Sequence, residues 1–340
     1  MSTTTIRKSL IESFGDPSHV SVVTTEIGLP AVNEVQVKVL YSGFGGSDIA
    51  MRLGGYPMQK QAPLTTGYSC IGVVNFNGSK SSKFQPGSLV ACLSVYDAQS
   101  ELVNLPEKYL IPVPEGVDLQ QAVALILDWT TAYGMVHRAG KVTKGQRVFV
   151  HGLSGSVGFA LLTLCKLQGA EVYGTASAHN HAAVRAAGAH SFVYTNKNWM
   201  MAMKAIGGAH VVFDPLGFES YDESWSILAH DGGILIGYGG NYNVLNGGKA
   251  RSQWPQIAKL LSKNLNIFCP KSTSFFYVDR DQSTFEPEVT VLLDMLKRGK
   301  IKVPIRKLWT LEEVPEAHRK FNKGPGVGAV VIKVANDTGL

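Results

Sequence analysis

The sequence predicts an α/β chain in which an irregular, mostly-β unit is joined to a doubly wound parallel sheet. Three observations carry that expectation. Between Val20 and Leu110, short β-branched runs are punctuated by Gly, Pro, Asn and Ser. After Arg147, strand-like and helix-like segments alternate at the spacing of β-α units. The chain has 340 residues, 45% hydrophobic and 17% charged, which suits about two ordinary globular domains rather than one.

The elements follow in order. VQVKVLYSG (35–43) alternates with period two, and CIGVVNF (70–76) and SLVACLSV (88–95) are short apolar runs of strand type. VPEGVDLQQAVALI (113–126) changes the rhythm: Asp118 caps a helix whose apolar face holds Ala122, Val123, Leu125 and Ile126. RVFVH (147–151) is a strand, and after a glycine turn FALLTLCKLQ (159–168) is a helix stopped by Gly169. EVYGTA (171–176) is the next strand, AAVRAAG (182–188) a helix closed by Gly188, and SFVY (191–194) a short strand. AHVVFDPLG (209–217) and GGILIGYGG (232–240) are two more strands running into glycine or proline. From about Asn266 the pattern is mixed, ending in a strand, GAVVIKV (328–334).

Composition narrows the function class. The net charge is +6, from 32 basic and 26 acidic residues that are scattered rather than clustered, which argues against a nucleic-acid partner. Cys70, Cys92, Cys165 and Cys269 lie far apart with no Cys/His cluster, the pattern of reduced core cysteines in a cytoplasmic protein. The start, MSTTTIRKSLIESFG, lacks a signal-peptide apolar core, and no stretch nears the roughly 18 apolar residues of an integral membrane segment.

The strongest local signal is HGLSGSVGFALL (151–162), a strand running through Gly152, Gly155 and Gly158 into an apolar helix. Small residues there let the backbone of Gly155, Ser156, Val157 and Gly158 approach a diphosphate, which the helix N-terminal amides stabilise. The spacing is GxxGxxG rather than GxGxxG, so a tight strand-to-helix connection without a nucleotide is the competing reading. The end of the second strand selects the dinucleotide. NAD sites carry an acid there for the ribose 2′-hydroxyl, but GTASAHNH (174–181) has none. Ser177, His179, His181 and Arg185 suit a 2′-phosphate instead, so NADPH is expected over NADH; for either histidine alone, a solvated helix start is the alternative.

The stretch 125–194 resembles the medium-chain dehydrogenase/reductase superfamily, most closely its zinc-independent quinone oxidoreductase-like branch, which includes zeta-crystallin-like, enoyl reductase-like and vesicle-membrane-associated members. FGGSDIAMRLGGYP (44–57), FQPGSLV (84–90), VVFDPLG (211–217), GILIGYG (233–239) and LEEVPEAHRKFNKGPGVGAVVIKV (311–334) extend the likeness over nearly the whole chain. The resemblance implies a discontinuous GroES-like catalytic domain, 1–126 and 267–340, and a Rossmann NADP-binding domain, 127–266, with the active site in the cleft and a homodimer joined through the Rossmann sheet. Zinc-dependent relatives have a Cys where this chain has Gly45 and Gly46, and a His-Glu pair where it has Tyr68 and Ser69, so no metal is expected. The chemistry left for this branch is hydride delivery from NADPH to a small apolar enone or enoyl substrate, or to a quinone.

Such a reaction needs a positioned nicotinamide, stabilisation of a developing enolate and a proton. Tyr56 matches a family tyrosine lining the cleft, either as donor to the carbonyl or as an aromatic wall. Thr130 matches a residue near the nicotinamide, and a helix cap is compatible with that position. Tyr238 and Gly239 follow a Rossmann strand where relatives pass the nicotinamide ribose, and Phe276 lies in the next strand, where plain packing or a dimer edge competes. Asp128 is a candidate acid, its alternative a helix cap, and Trp129 a candidate substrate wall. The sequence also departs from the family. Gly45 stands where many members carry Asn, Asn180 and His181 where NADPH binders have Lys, and Tyr194 falls one place earlier than the family tyrosine. Two other function classes stay open: a cofactor-binding or structural protein without turnover, and a non-redox isomerase or cyclase using Asp128 or Tyr56 as acid. The loop GGNYNVLNGGKARSQW (239–254) is the least family-like part, a lid, a specificity loop or a surface insertion.

Overall fold

The computed structural model describes residues 3–245 and 251–335, so part of the 239–254 loop lies outside the described residues. Seven strands come first: β1 (Thr3–Ile11), β2 (Val20–Gly28), β3 (Glu34–Phe44), β4 (Cys70–Asn77), β5 (Leu89–Cys92), β6 (Leu102–Pro106) and β7 (Ile111–Pro112). Six follow in alternation with helices: β8 (Arg147–Val150), β9 (Glu171–Ala176), β10 (Ala189–Val193), β11 (Val211–Asp214), β12 (Gly233–Gly237) and β13 (Lys271–Phe275). The chain closes with β14 (Ile305–Thr310) and β15 (Ala329–Lys333).

These strands sort into two units, residues 1–127 with 279–323 and 329–340, and residues 128–278 with 324–328. In the first, β1 and β2 form an antiparallel ribbon, and a seven-stranded sheet runs β14-β15-β3-β4-β5-β7 with β6 also paired to β3. The 11-residue β3 is its spine: Val35, Val37 and Val39 are buried, and it pairs with β15, β4 and β6. The second unit is an all-parallel six-stranded sheet in the order β10-β9-β8-β11-β12-β13. Renumbered within the unit this is 3-2-1-4-5-6, the doubly wound order with its reversal between the first and fourth strands. Strands β8 and β11 are almost wholly buried, as a parallel sheet covered on both faces requires. Phe149, Trp199, Met203, Val212, Leu235 and Leu260 form one of its cores.

The expected division at 266/267 falls ahead of β13, which pairs along its length with β12 and so extends the parallel sheet to Phe275. The short stretch Gly324–Gly328 also belongs with the parallel-sheet unit.

Candidate functional site

The site in the parallel-sheet unit is built where β8 gives way to the helix Ser156–Leu167. The turn between them is held by its neighbours: His151 N–H donates to Phe213 O at 3.1 Å, and Leu153 N–H to Thr175 O at 2.9 Å. At Gly158 the helix comes so close to the turn that a Cβ would lie 2.1 Å from Gly152 O, a contact no side chain can make. The helix has Gly155 at its N-cap with no side-chain cap, so the amides of Ser156, Val157 and Gly158 keep the unmet donors of a first turn. Ser156 Oγ is buried there without a partner in hydrogen-bond geometry. Orphaned donors, a glycine cradle and a helix dipole fit the diphosphate of a dinucleotide. The stretch Gly324–Gly328 flanks the same turn, with Gly328 N–H donating to Ser154 O at 3.0 Å.

At the end of β9, Ser177 is partly buried and no acid follows. His181 Nε2 faces Ala176 O at 3.2 Å and its Nδ1 meets Arg185 at 3.3 Å, so both ring nitrogens are engaged. Asn180 is buried, its Oδ1 accepting from Gly326 N–H at 2.9 Å. Tyr194, just beyond β10, is 57% exposed.

A buried polar chain beneath the turn was not signalled by the sequence, because its members lie on four separate segments. Ser220 and Ser224 each donate to Asp214 Oδ2 at 2.7 Å, while Leu216 and Gly217 N–H donate to its Oδ1. With the Ser224 proton committed to Asp214, His151 Nε2–H donates to Ser224 Oγ at 3.0 Å, and Thr175 donates to His151 Nδ1 at 3.3 Å. Thr175 in turn accepts from Gly152 N–H at 3.2 Å. One set of proton positions satisfies the whole chain and ties the glycine turn to the end of β11. Burial pushes the His151 pKa down against the pull of Asp214, which keeps the imidazole neutral.

Asp128 and Trp129 lie in a helical run made of the helix Leu119–Ala124, a π-helical turn Leu125–Trp129, the helix Thr130–Gly134 and a second π-helical turn Met135–Ala139. Asp118 caps its start as expected, accepting from Gln120 and Gln121 N–H. The helix Thr130–Gly134 has no side-chain cap, so the capping roles considered for Asp128 and Thr130 are not realised. Burial lifts the Asp128 pKa to about 6, with the Ser156 hydroxyl drawing it down. Trp129 is 1% exposed and Thr130 is fully buried. Tyr238 follows β12, its N–H on Asp214 O at 3.1 Å, and burial together with Asp214 and Asp128 pushes its phenol pKa up. The Phe276 ring lies against Gly134, where a Cβ would stand 2.5 Å from it, and Arg138 sits 5.3 Å from its centroid. The sequence-predicted residues therefore gather around the turn and the end of β12 (Asp128, Ser156, Tyr238, and Phe276, whose N–H donates to Gly237 O at 2.8 Å), while Tyr194 lies exposed beyond β10.

In the mostly-β unit the chemistry centres on tyrosines. Tyr56 donates to the Tyr68 hydroxyl at 2.7 Å, with the two rings edge to face and 5.7 Å between centroids. Tyr68 lies two residues ahead of β4 and is fixed through its neighbour: Gly67 N–H donates to Asp48 Oδ1 at 2.9 Å, and Asp48 Oδ2 accepts from Gly45 N–H at 2.8 Å. Asp48 is buried, so this anchor is itself shielded from water. Burial pushes both phenol pKa values up and keeps both protonated. The tyrosine at 68 escaped the sequence reading because it was weighed only as an absent metal ligand. Among the described residues no group of three or more His, Cys, Asp or Glu is arranged to hold a metal ion, and no helix is long and apolar enough to cross a membrane.

Comparison with known proteins agrees with this architecture. Residues 31–115 match the alcohol dehydrogenase GroES-like domain and residues 187–332 a zinc-binding dehydrogenase domain. The chain is 28% identical to the synaptic vesicle membrane protein VAT-1 homolog of Danio rerio, over 97% of this chain and 70% of that one. It is 25% identical to the quinone oxidoreductase of Mus musculus, over 94% and 95%. Among solved structures, the Escherichia coli quinone oxidoreductase complexed with NADPH superposes with a TM-score of 0.84 at 21% identity, covering 96% of this chain and all of that one. The JamJ enoyl reductase gives 0.83 at 22%, covering 98% of this chain and all of the other. With the doubly wound sheet, the glycine turn and both domain matches in hand, the chain belongs to the medium-chain dehydrogenase/reductase superfamily of oxidoreductases.

Proposed function

We propose that this chain is an NADPH-dependent, zinc-independent reductase that delivers hydride to a small apolar enone or enoyl substrate, or to a quinone, as a cytoplasmic homodimer. The observation that carries the reading is the turn 152–158, where Gly158 abuts Gly152 O and three first-turn amides stand unmet at the reversal of the strand order. Gly155, Ser156, Val157 and Gly158 would hold the diphosphate, and the bound nicotinamide would supply hydride. NADPH over NADH is supported by the absence of a carboxylate at the end of β9, where Ser177 and Arg185 offer a hydroxyl and a cation. The quinone oxidoreductases and the enoyl reductase among the similar proteins support the substrate class. Asp128 and the phenol pair that Tyr56 forms with Tyr68 are the proposed proton sources, and Thr130, Trp129 and Tyr238 the residues proposed to line the nicotinamide and substrate.

Calorimetry with each reduced coenzyme tests the first half, and oxidation of NADPH with a panel of enones and quinones the second. Transfer of deuteride from labelled NADPH to product separates turnover from mere coenzyme binding. Ser177→Asp is expected to move preference toward NADH by about tenfold, since it supplies the ribose partner and repels the 2′-phosphate. Equal affinity of the unmodified chain for NADH and NADPH defeats the coenzyme assignment.

A further inference from the structure

We infer that Tyr68, with Tyr56 behind it, is the group that donates to the carbonyl oxygen of the substrate; the inference rests on the reductase reading above. A phenol has one proton. That of Tyr56 is directed at Tyr68 across 2.7 Å, so it is not available to another acceptor while the pair is intact. The proton of Tyr68 has no protein acceptor among the described residues, which leaves it for a ligand oxygen.

The surroundings make the pair asymmetric. Arg280 is locked by Leu93 O at 2.8 Å and Ser94 O at 3.2 Å and stacks 3.8 Å over the Tyr109 ring. Its charge favours the Tyr68 phenolate, and so does the bond from Tyr56, whereas that same bond disfavours ionisation of Tyr56. Burial, Tyr96 and Asp48 oppose ionisation of both phenols. Tyr68 is therefore the better acid and Tyr56 the positioning residue. Asp48 holds the backbone of the residue before Tyr68, which keeps the phenol preorganised rather than free to rotate away.

When bound, a reduced nicotinamide would supply hydride to the β-carbon of the enone. The displaced π pair moves to the carbonyl oxygen, the Tyr68 O–H bond breaks as an O–H bond forms on that oxygen, and an enol results. Tyr56 continues to donate to the Tyr68 phenolate until solvent returns a proton, and the enol tautomerises to the saturated ketone in water.

The test uses the full chain and two readouts. 4-Nitrophenolate, an aromatic oxyanion, is titrated in the presence of NADP⁺ and followed by its visible band. Tyr68→Phe is expected to weaken its binding about tenfold or more and to lower kcat for an enone about 100-fold, the usual scale for losing one oxyanion donor. Tyr56→Phe is expected to cost less on both readouts, and the double variant to match Tyr68→Phe alone, because Tyr56 acts through Tyr68. Affinity for NADPH and the melting temperature should stay as in the parent. The inference is overturned if Tyr56→Phe is the more damaging change, if the two effects add, or if an enone-reducing parent does not bind 4-nitrophenolate. Those results leave the reductase reading standing; failure of the parent to bind or oxidise NADPH removes the reading itself.

Discussion

At Asp128 burial and the Ser156 hydroxyl act against each other, and the sign of the outcome is measurable. Its carboxyl is lifted from the ordinary 3.8 to about 6, chiefly by desolvation. A raised folded-state pKa means that the native protein resists ionisation more than the unfolded chain does. Stability is therefore greatest below about pH 4 for this group, falls as pH rises from about 4 to 6, and carries the full cost above 6. At about 1.4 kcal/mol per unit the cost is at most roughly 3 kcal/mol. Asp128→Asn should thus be more stable than the parent at pH 7 and indistinguishable from it near pH 4, read by urea unfolding at both. At Gly158 the governing quantity is distance. A methyl 2.1 Å from Gly152 O forces the helix away from the turn, so Gly158→Ala should lose about 2–4 kcal/mol and weaken NADPH binding at least tenfold. Retention of parental affinity by calorimetry would show that the turn grips no diphosphate.

Among the elements, those whose signals are local were legible and those specified by distant partners were not. EVYGTA is strand β9 residue for residue, because β-branched alternation and flanking turns are both contained in the segment. The helix after the glycine turn begins at Ser156, three residues ahead of the expected Phe159, since glycines hid a start that the turn geometry creates. The π-helical turns at 125–129 and 135–139 left no periodic trace: one extra residue per turn only blurs a 3.6 repeat. In the site, the glycine turn could be read from spacing, whereas the Thr175–His151–Ser224–Asp214 chain and the Tyr56–Tyr68 pair join residues far apart in sequence. Strand β13 shows a further limit, because its edge exposure is a property of the sheet. It ends the parallel sheet, and just before it Leu265, Ile267 and Phe268 are 81%, 83% and 91% exposed. An unpaired edge beside such apolar side chains calls for a covering surface. On the homodimer proposal a second copy supplies it, so Phe268→Glu combined with Ile267→Lys should convert a dimer to a monomer in analytical ultracentrifugation; a monomeric parent contradicts the proposal.

For the whole molecule, the distribution of tryptophans turns ligand linkage into a unit-specific measurement. Trp129, Trp199, Trp225 and Trp254 belong to the parallel-sheet unit, while Trp309 alone belongs to the mostly-β unit. Intrinsic fluorescence therefore reports mainly on the unit that carries the glycine turn. A ligand that binds the native state alone, at 100 times its Kd, adds about 2.7 kcal/mol. For a unit of this size each kcal/mol moves the midpoint by about 2–4 °C, so NADPH at that level should raise the fluorescence-detected melting temperature by about 5–10 °C. NADH at the same concentration should raise it less, since its ribose finds no carboxylate at the end of β9. Two units need not unfold together, so the comparison that decides is the same transition with and without coenzyme, not one global value. An unchanged fluorescence midpoint with saturating NADPH would mean that the turn holds no dinucleotide, and the strand order would then be scaffold without its usual ligand.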